Sequence, residues 1–178
     1  MQQRGLKQPE LEALGETLGT LVTPGTVVFL EGPMGAGKTT FTRALGRGMK
    51  LHRPDRVCSP TFNICLTHGG PVPLMHIDLL RLAPDDGTGP MPASFEALGL
   101  EALLDRLSED EPEADIDAAV VVIEWSNLWQ HETLDALTIR LSRLEPDSRD
   151  LEAVAGGPRH GALLRRWAGS AVAFRPKP

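Results

Sequence analysis

Cysteine is scarce. Cys58 and Cys65 are the two in 178 residues, too few for a disulfide framework, and no cluster of cysteine and histidine at zinc spacing surrounds them. Both are expected to be reduced, structural thiols. No apolar run reaches the roughly eighteen residues that suggest a membrane-spanning helix. The opening "MQQRGLKQPE" lacks an apolar segment followed by a small-residue cleavage site, so the expected location is the cytoplasm. An excess of base is missing too: eighteen Lys and Arg stand against twenty-four Asp and Glu, a net charge of −6. That balance argues against a protein whose main work is coating nucleic-acid phosphates. There is no internal repeat and no arguable Ser-His-Asp or Cys-His arrangement. The five histidines show no metal spacing and are read as structural or solvent-facing, although His76 stands two residues before an acid, Asp78.

What remains is an ordinary globular composition, 41% hydrophobic and 24% charged with both signs present. Its length suits one domain, expected over residues 1–169, with 170–178 as a flexible C-terminal tail. "PELEALGETLGTLV" places Leu11, Leu14, Leu18 and Leu21 at helical steps, with Pro9 in a first turn. "TVVFLE" is a short β-branched and aromatic run and predicts a buried strand; "KTTFTRALGRGM" then predicts a helix with Phe41, Leu45 and Met49 on one face. "SPTFNICLTH" and "VPLMHIDLLRL", separated by "GGP", predict an antiparallel pair. "FEALGLEALLDRLSE" has helical spacing, and Asp105 to Asp117 reads as an acidic solvated linker. "AAVVVIEWS" predicts a central strand, "LTIRLSRL" a half-exposed strand, "DLEAVAGG" its neighbour, and "HGALLRRWAGS" a short helix.

Between the first strand and the second helix lies "EGPMGAGKTTF". Gly32, Gly37, Lys38 and Thr39 satisfy G-x-x-x-x-G-K-[ST] in the strand-to-helix setting that the pattern requires. Glycines let the backbone curl so that successive N–H groups face phosphate oxygens, and the helix start adds its positive end. Lys38 supplies a mobile charge for the terminal phosphates, and the Thr39 hydroxyl is placed to ligate Mg²⁺. The metal needs a second anchor, a carboxylate ending a neighbouring hydrophobic strand. Glu124, closing "AVVVIE", meets that need. Trp125 follows and is either a core residue or an aromatic wall near the nucleotide. Asp78, an acid inside an apolar run, is a functional candidate because burying it costs several kcal/mol unless it is paired or metal-associated. The alternative puts it on an edge strand, facing water beside Arg81. Ser59 to Phe62, "SPTF", could sense a γ-phosphate or be an ordinary turn.

The set "GPMGAGKTTF", "SPTF", "HIDLLRL" and "VIEWSN", in this order, resembles the TsaE (YjeE) family of bacterial ATPases of tRNA threonylcarbamoyladenosine synthesis, over roughly residues 10 to 157. The resemblance implies an α/β fold: a P-loop NTPase-like three-layer sandwich with a largely parallel central sheet, an antiparallel extension, and helices on both faces. It implies that ATP and Mg²⁺ are the cofactors. Gly35, Ala36, Gly37, Lys38, Thr39 and Thr40 would hold the phosphates, with Gly32 and Met34 in the same loop. Thr39 and Glu124 would handle Mg²⁺, with Asp78 as a further metal residue needed for hydrolysis, and Asp78, Lys38 and Glu124 would be the catalytic residues. Ser59 to Phe62, Thr61 among them, would form a switch-like segment, and Trp125 would lie close to the nucleotide. Two departures stand out: Pro33 and Met34 replace the usual acid and leucine, and Leu80 a usual tyrosine. The family's activity is that of a weak ATPase acting with the TsaB and TsaD proteins, whose assembly it resets. Contact with tRNA would be indirect or weak, and the isolated chain a monomer.

Other readings use the same loop differently. A small kinase of a nucleotide or metabolite would need a lid with arginines, and Ala83 to Ser94 contains none. A GTPase would need N-K-x-D where this chain has "SNLWQ". A noncatalytic nucleotide-sensing module would grip ATP through Lys38 and Thr39 without needing Asp78. From Pro158 onward the chain carries Arg159, Arg165, Arg166, Arg175 and Lys177 and no acid, a basic end that could face tRNA or an acidic partner, or be a solvated helix.

Overall fold

The structure, a computed structural model, describes residues 1–60, 65–80, 118–128, 135–145 and 147–171. Its framework is a mixed sheet with the strand order β1-β7-β6-β2-β5-β4-β3 among those residues. The strands are β1 (Gln2–Leu6), β2 (Val27–Glu31), β3 (Cys65–His68), β4 (Leu74–Asp78), β5 (Val120–Glu124), β6 (Leu137–Glu145) and β7 (Ser148–Ala155). The inner pairings β6/β2, β2/β5 and β5/β4 are parallel. The outer ones, β1/β7, β7/β6 and β4/β3, are antiparallel. Buried parallel strands have to be apolar on both faces, and "VVFL" and "VVVI" are: Val27 to Leu30 and Val120 to Ile123 are all at most 3% exposed.

Three helices, α1 (Gln8–Gly19), α2 (Lys38–Gly48) and α3 (Pro158–Ala171), contribute to one core. Leu11, Leu14 and Leu18 of α1 and Phe41 and Leu45 of α2 meet Val28, Leu30, Val120 and Val122 of the sheet. Trp167 of α3 is fully buried, edge-on to Phe41 at 6.1 Å, and its indole N–H donates to the Leu14 carbonyl at 3.0 Å. Val27, Phe29, Val121 and Ile123 are buried as well, so both faces of the sheet are covered. The helix expected in "FEALGLEALLDRLSE" and the acidic linker 105–117 lie outside the described residues.

Several expectations change in detail. The N-terminal residues, read only for the absence of a leader, form β1 and pair with β7. Helix α1 ends at Gly19, before Leu21. The C-terminal helix is 14 residues long and runs to Ala171, past the boundary read at 169. Both cysteines are free, as expected, but they are exposed rather than packed inside. Strand β4 is interior, between β3 and β5. Asp78 is therefore 5% exposed and does not face water at an edge; Arg81 lies outside the described residues. Among the described residues, no helix is long and apolar enough to cross a membrane.

Candidate nucleotide-binding site

The site forms where β2 leaves the sheet. Gly32 has φ 139°, and a Cβ there would overlap the Leu141 carbonyl of β6, so only glycine lets the chain turn so close to its neighbour. Gly37, with φ 103°, sits as the residue before α2, and a Cβ on it would press against Leu11 at 2.9 Å. Between them the Ala36 N–H donates to the Pro33 carbonyl at 3.1 Å, which closes the loop. The first N–H groups of α2 have no acceptor inside the helix and face outward with its positive end.

Over this loop lies a cavity of about 660 Å³. Met34, Gly35, Gly37, Lys38, Thr39 and Thr40 line one side, and Ser59, Asp78, Glu124 and Trp125 another. Of the residues expected from the sequence, Gly32 and Ala36 do not line the cavity, and Ala36 is fully buried. Met34 is 77% exposed at the rim. Thr61 and the rest of 61–64 lie outside the described residues, so of the segment expected to be switch-like only Ser59 and Pro60 are described.

Lys38 folds back over the loop. Its ammonium donates to the carbonyls of Gly32, at 2.8 Å, and Pro33, at 3.1 Å, and lies 3.8 Å from the centre of the Trp125 ring. Burial pushes its pKa below the ordinary lysine range, while the charges of Glu124 and Asp78 oppose that shift. Trp125 thus belongs to the cavity wall and packs on the cation. Its φ of 62° is unusual for a bulky residue, a strain of about 1–3 kcal/mol of the kind that gathers at functional sites.

Two carboxylates come from adjacent parallel strands, because Asp78 pairs with Glu124 in the register of β4 and β5. Glu124, 2% exposed, accepts from the Thr39 hydroxyl at 3.2 Å through Oε2. Its Oε1 accepts from Nε2 of His76 at 2.9 Å and lies 3.4 Å from the Thr42 hydroxyl. Asp78 accepts a short hydrogen bond from Ser59 on Oδ2 and the Leu80 N–H on Oδ1 at 3.0 Å. Among the described residues, no group of three or more His, Cys, Asp or Glu could hold a metal by itself. The oxygens of Thr39 and Glu124 nevertheless suit magnesium, which takes few protein ligands and completes its shell with water and phosphate. Neighbouring ligands of an octahedral ion at about 2.1 Å lie about 3.0 Å apart, close to the 3.2 Å between these two atoms.

Sequence reasoning missed a third wall of the cavity, made by Lys7, Gln8 and Leu11 at the start of α1 and by Asp147 and Arg149 of the β7 region. Arg149 also donates through Nε to the Ala36 carbonyl at 3.2 Å. No local motif marks these residues; they reach the loop because β1 and β7 are neighbours. His76 had a visible signal, its position two residues before Asp78 on the same strand face.

A glycine loop between the central strand and a helix, with an acid at the end of the adjacent parallel strand, defines a P-loop NTPase-like protein. The chain matches the family model "Threonylcarbamoyl adenosine biosynthesis protein TsaE" over residues 6–151. Two relatives named tRNA threonylcarbamoyladenosine biosynthesis protein TsaE are similar over most of their length. The one from Nostoc sp. is 33% identical, covering 78% of this chain and 76% of its own. The one from Bacillus subtilis is 30% identical, covering 90% and 89%. The crystal structure of B. subtilis YdiB superimposes with a TM-score of 0.66 over 96% of this chain and 95% of that one at 24% identity, which establishes the shared fold. This chain belongs to the TsaE family.

Proposed function

We propose that the chain binds and hydrolyses ATP with Mg²⁺ as a cytoplasmic subunit of tRNA threonylcarbamoyladenosine synthesis. It acts with TsaB and TsaD, and its nucleotide cycle resets that assembly between turnovers. Family membership supports the pathway. The observation that carries the chemistry is the meeting of Thr39 and Glu124, 3.2 Å apart, at the foot of a cavity fronted by the glycine loop.

In this reading the backbone from Gly35 to Thr40 binds the phosphates, and Lys38 exchanges its contacts with the Gly32 and Pro33 carbonyls for phosphate oxygens. That exchange gives a buried cation an anionic partner, which is favourable because burial disfavours the unpaired charge. Mg²⁺, held by Thr39 and Glu124 with Asp78 nearby, would offset the negative charge on the terminal phosphates. Asp78 is the carboxylate this reading assigns to hydrolysis, where it would orient water, and its hydrogen bond from Ser59 would tie it to the expected switch-like segment. Trp125 covers Lys38 and lies beside the nucleotide. The modest set of groups fits a weak ATPase that a partner completes.

The reading is tested by incubating the tagged chain with cytosolic extract from a TsaE-containing bacterium, with and without ATP. TsaB and TsaD should be recovered, with an ATP-dependent yield. Recovery of a metabolite-binding enzyme in their place would contradict it.

A further inference from the structure

We propose that His76 is a positioning residue for Glu124: its ring fixes the carboxylate so that one oxygen is presented to the Thr39 hydroxyl and to a magnesium ion. The inference rests on the nucleotide-site reading above and deepens it. His76 pairs with Val122 and Asp78 with Glu124 in the parallel register. His76 and Glu124 are thus diagonal neighbours on one face of the sheet, a spacing that polar side chains can bridge.

A carboxylate only accepts, so Nε2 of His76 carries the hydrogen in the 2.9 Å bond to Oε1. The competing donor is weaker. The Thr42 hydroxyl has a single hydrogen, and it lies nearer the Lys38 carbonyl, at 3.1 Å, than Oε1, at 3.4 Å. His76 is therefore the principal donor to Oε1 among the described residues. Oε2 is left to face Thr39. A free glutamate side chain carries about 1.5–2 kcal/mol of rotamer entropy, and the fully buried ring removes that freedom before any ligand arrives.

The other ring nitrogen argues that this contact is why a histidine stands here. Nδ1 of His76 is buried with no hydrogen-bond partner among the described residues. Such an atom costs about 1–3 kcal/mol, which a valine or leucine in this interior strand would avoid. A purely structural role gives no reason to tolerate that cost, whereas holding Glu124 does.

The test measures the affinity of a fluorescent ATP analogue for wild type, His76→Gln, His76→Asn and His76→Phe, in EDTA and across a magnesium titration, with thermal melting as the folding check. Glutamine can place an N–H near Nε2; asparagine is too short. His76→Phe and His76→Asn should keep their EDTA affinity within about twofold, while the magnesium concentration for half-maximal tightening rises about 10–100-fold. His76→Gln should restore it to near the wild-type value. If folded His76→Phe shows wild-type magnesium dependence, the inference is overturned. If His76→Phe does not fold, the comparison of asparagine with glutamine decides: equal magnesium dependence overturns the inference. A wild-type affinity indifferent to magnesium would overturn the site reading itself, and the role of His76 with it.

Discussion

Replacing His160 should alter both the stability of this fold and its dependence on pH. His160 is 2% exposed in the first turn of α3. Its Nε2 accepts the Val27 N–H at 3.0 Å, and its Nδ1 faces Asp135 Oδ1 at 2.8 Å. The hydrogen is therefore on Nδ1. Asp135 also accepts the backbone N–H of Arg159, at 2.9 Å, and of His160, at 3.2 Å, and so caps α3 from the entry to β6. The ring ties the start of the central strand β2 to that cap. His160→Leu strands the N–H of Val27, itself 2% exposed, at a cost of about 1–3 kcal/mol. Burial holds the His160 pKa below the ordinary histidine value, only partly offset by Asp135. A depressed folded pKa means that the unfolded chain takes up the proton more readily. Stability is then full above the unfolded value of about 6.5 and falls as pH drops below it towards the folded value, by at most about 1.4 kcal/mol per unit. The Asp135 pKa is itself lowered: burial opposes the shift, but hydrogen bonds from His160 and Arg159 outweigh it. Urea denaturation of wild type and His160→Gln at pH 7.5 and 5.5 is the assay. Glutamine can accept the Val27 N–H without titrating, so the stability difference between the two pH values should shrink by up to about 1.4 kcal/mol. An unchanged difference, or a His160→Leu variant as stable as wild type, would refute the reasoning.

Two more outcomes follow from the site. Gly32→Ala meets both the positive φ and the Leu141 carbonyl; it should destabilise the protein by about 3 kcal/mol or more, visible as a lower melting temperature. Asp78→Ala should leave the affinity for ATP within a few-fold while lowering phosphate release by about 10²–10⁴-fold; unaffected hydrolysis would show that Asp78 has another role.

What the sequence makes legible follows from how local each signal is. "VVFL" and "VVVI" announce buried strands because both faces are apolar, and G-x-x-x-x-G-K-T needs only its own strand and helix to make sense. Glu124 is legible because the loop demands a partner at a strand end. Strand β1 is not, since "QQRG" has neither β-branched residues nor alternation and forms an edge through pairing with β7. Lys7, Gln8 and Arg149 reach the cavity only through that pairing. Asp78 could be named but not placed, because its burial depends on β3 and β5 flanking β4. The contact of His76 with Glu124 depends on the parallel register, which no short motif records.

The most direct test of the central claim is a crystal structure of the chain with a non-hydrolysable ATP analogue and Mg²⁺. The account predicts the triphosphate against the backbone from Gly35 to Thr40, Lys38 turned from the Gly32 carbonyl to the phosphates, and the ion between Thr39 and Glu124. A triphosphate bound elsewhere, or Glu124 turned away from the metal, would contradict it.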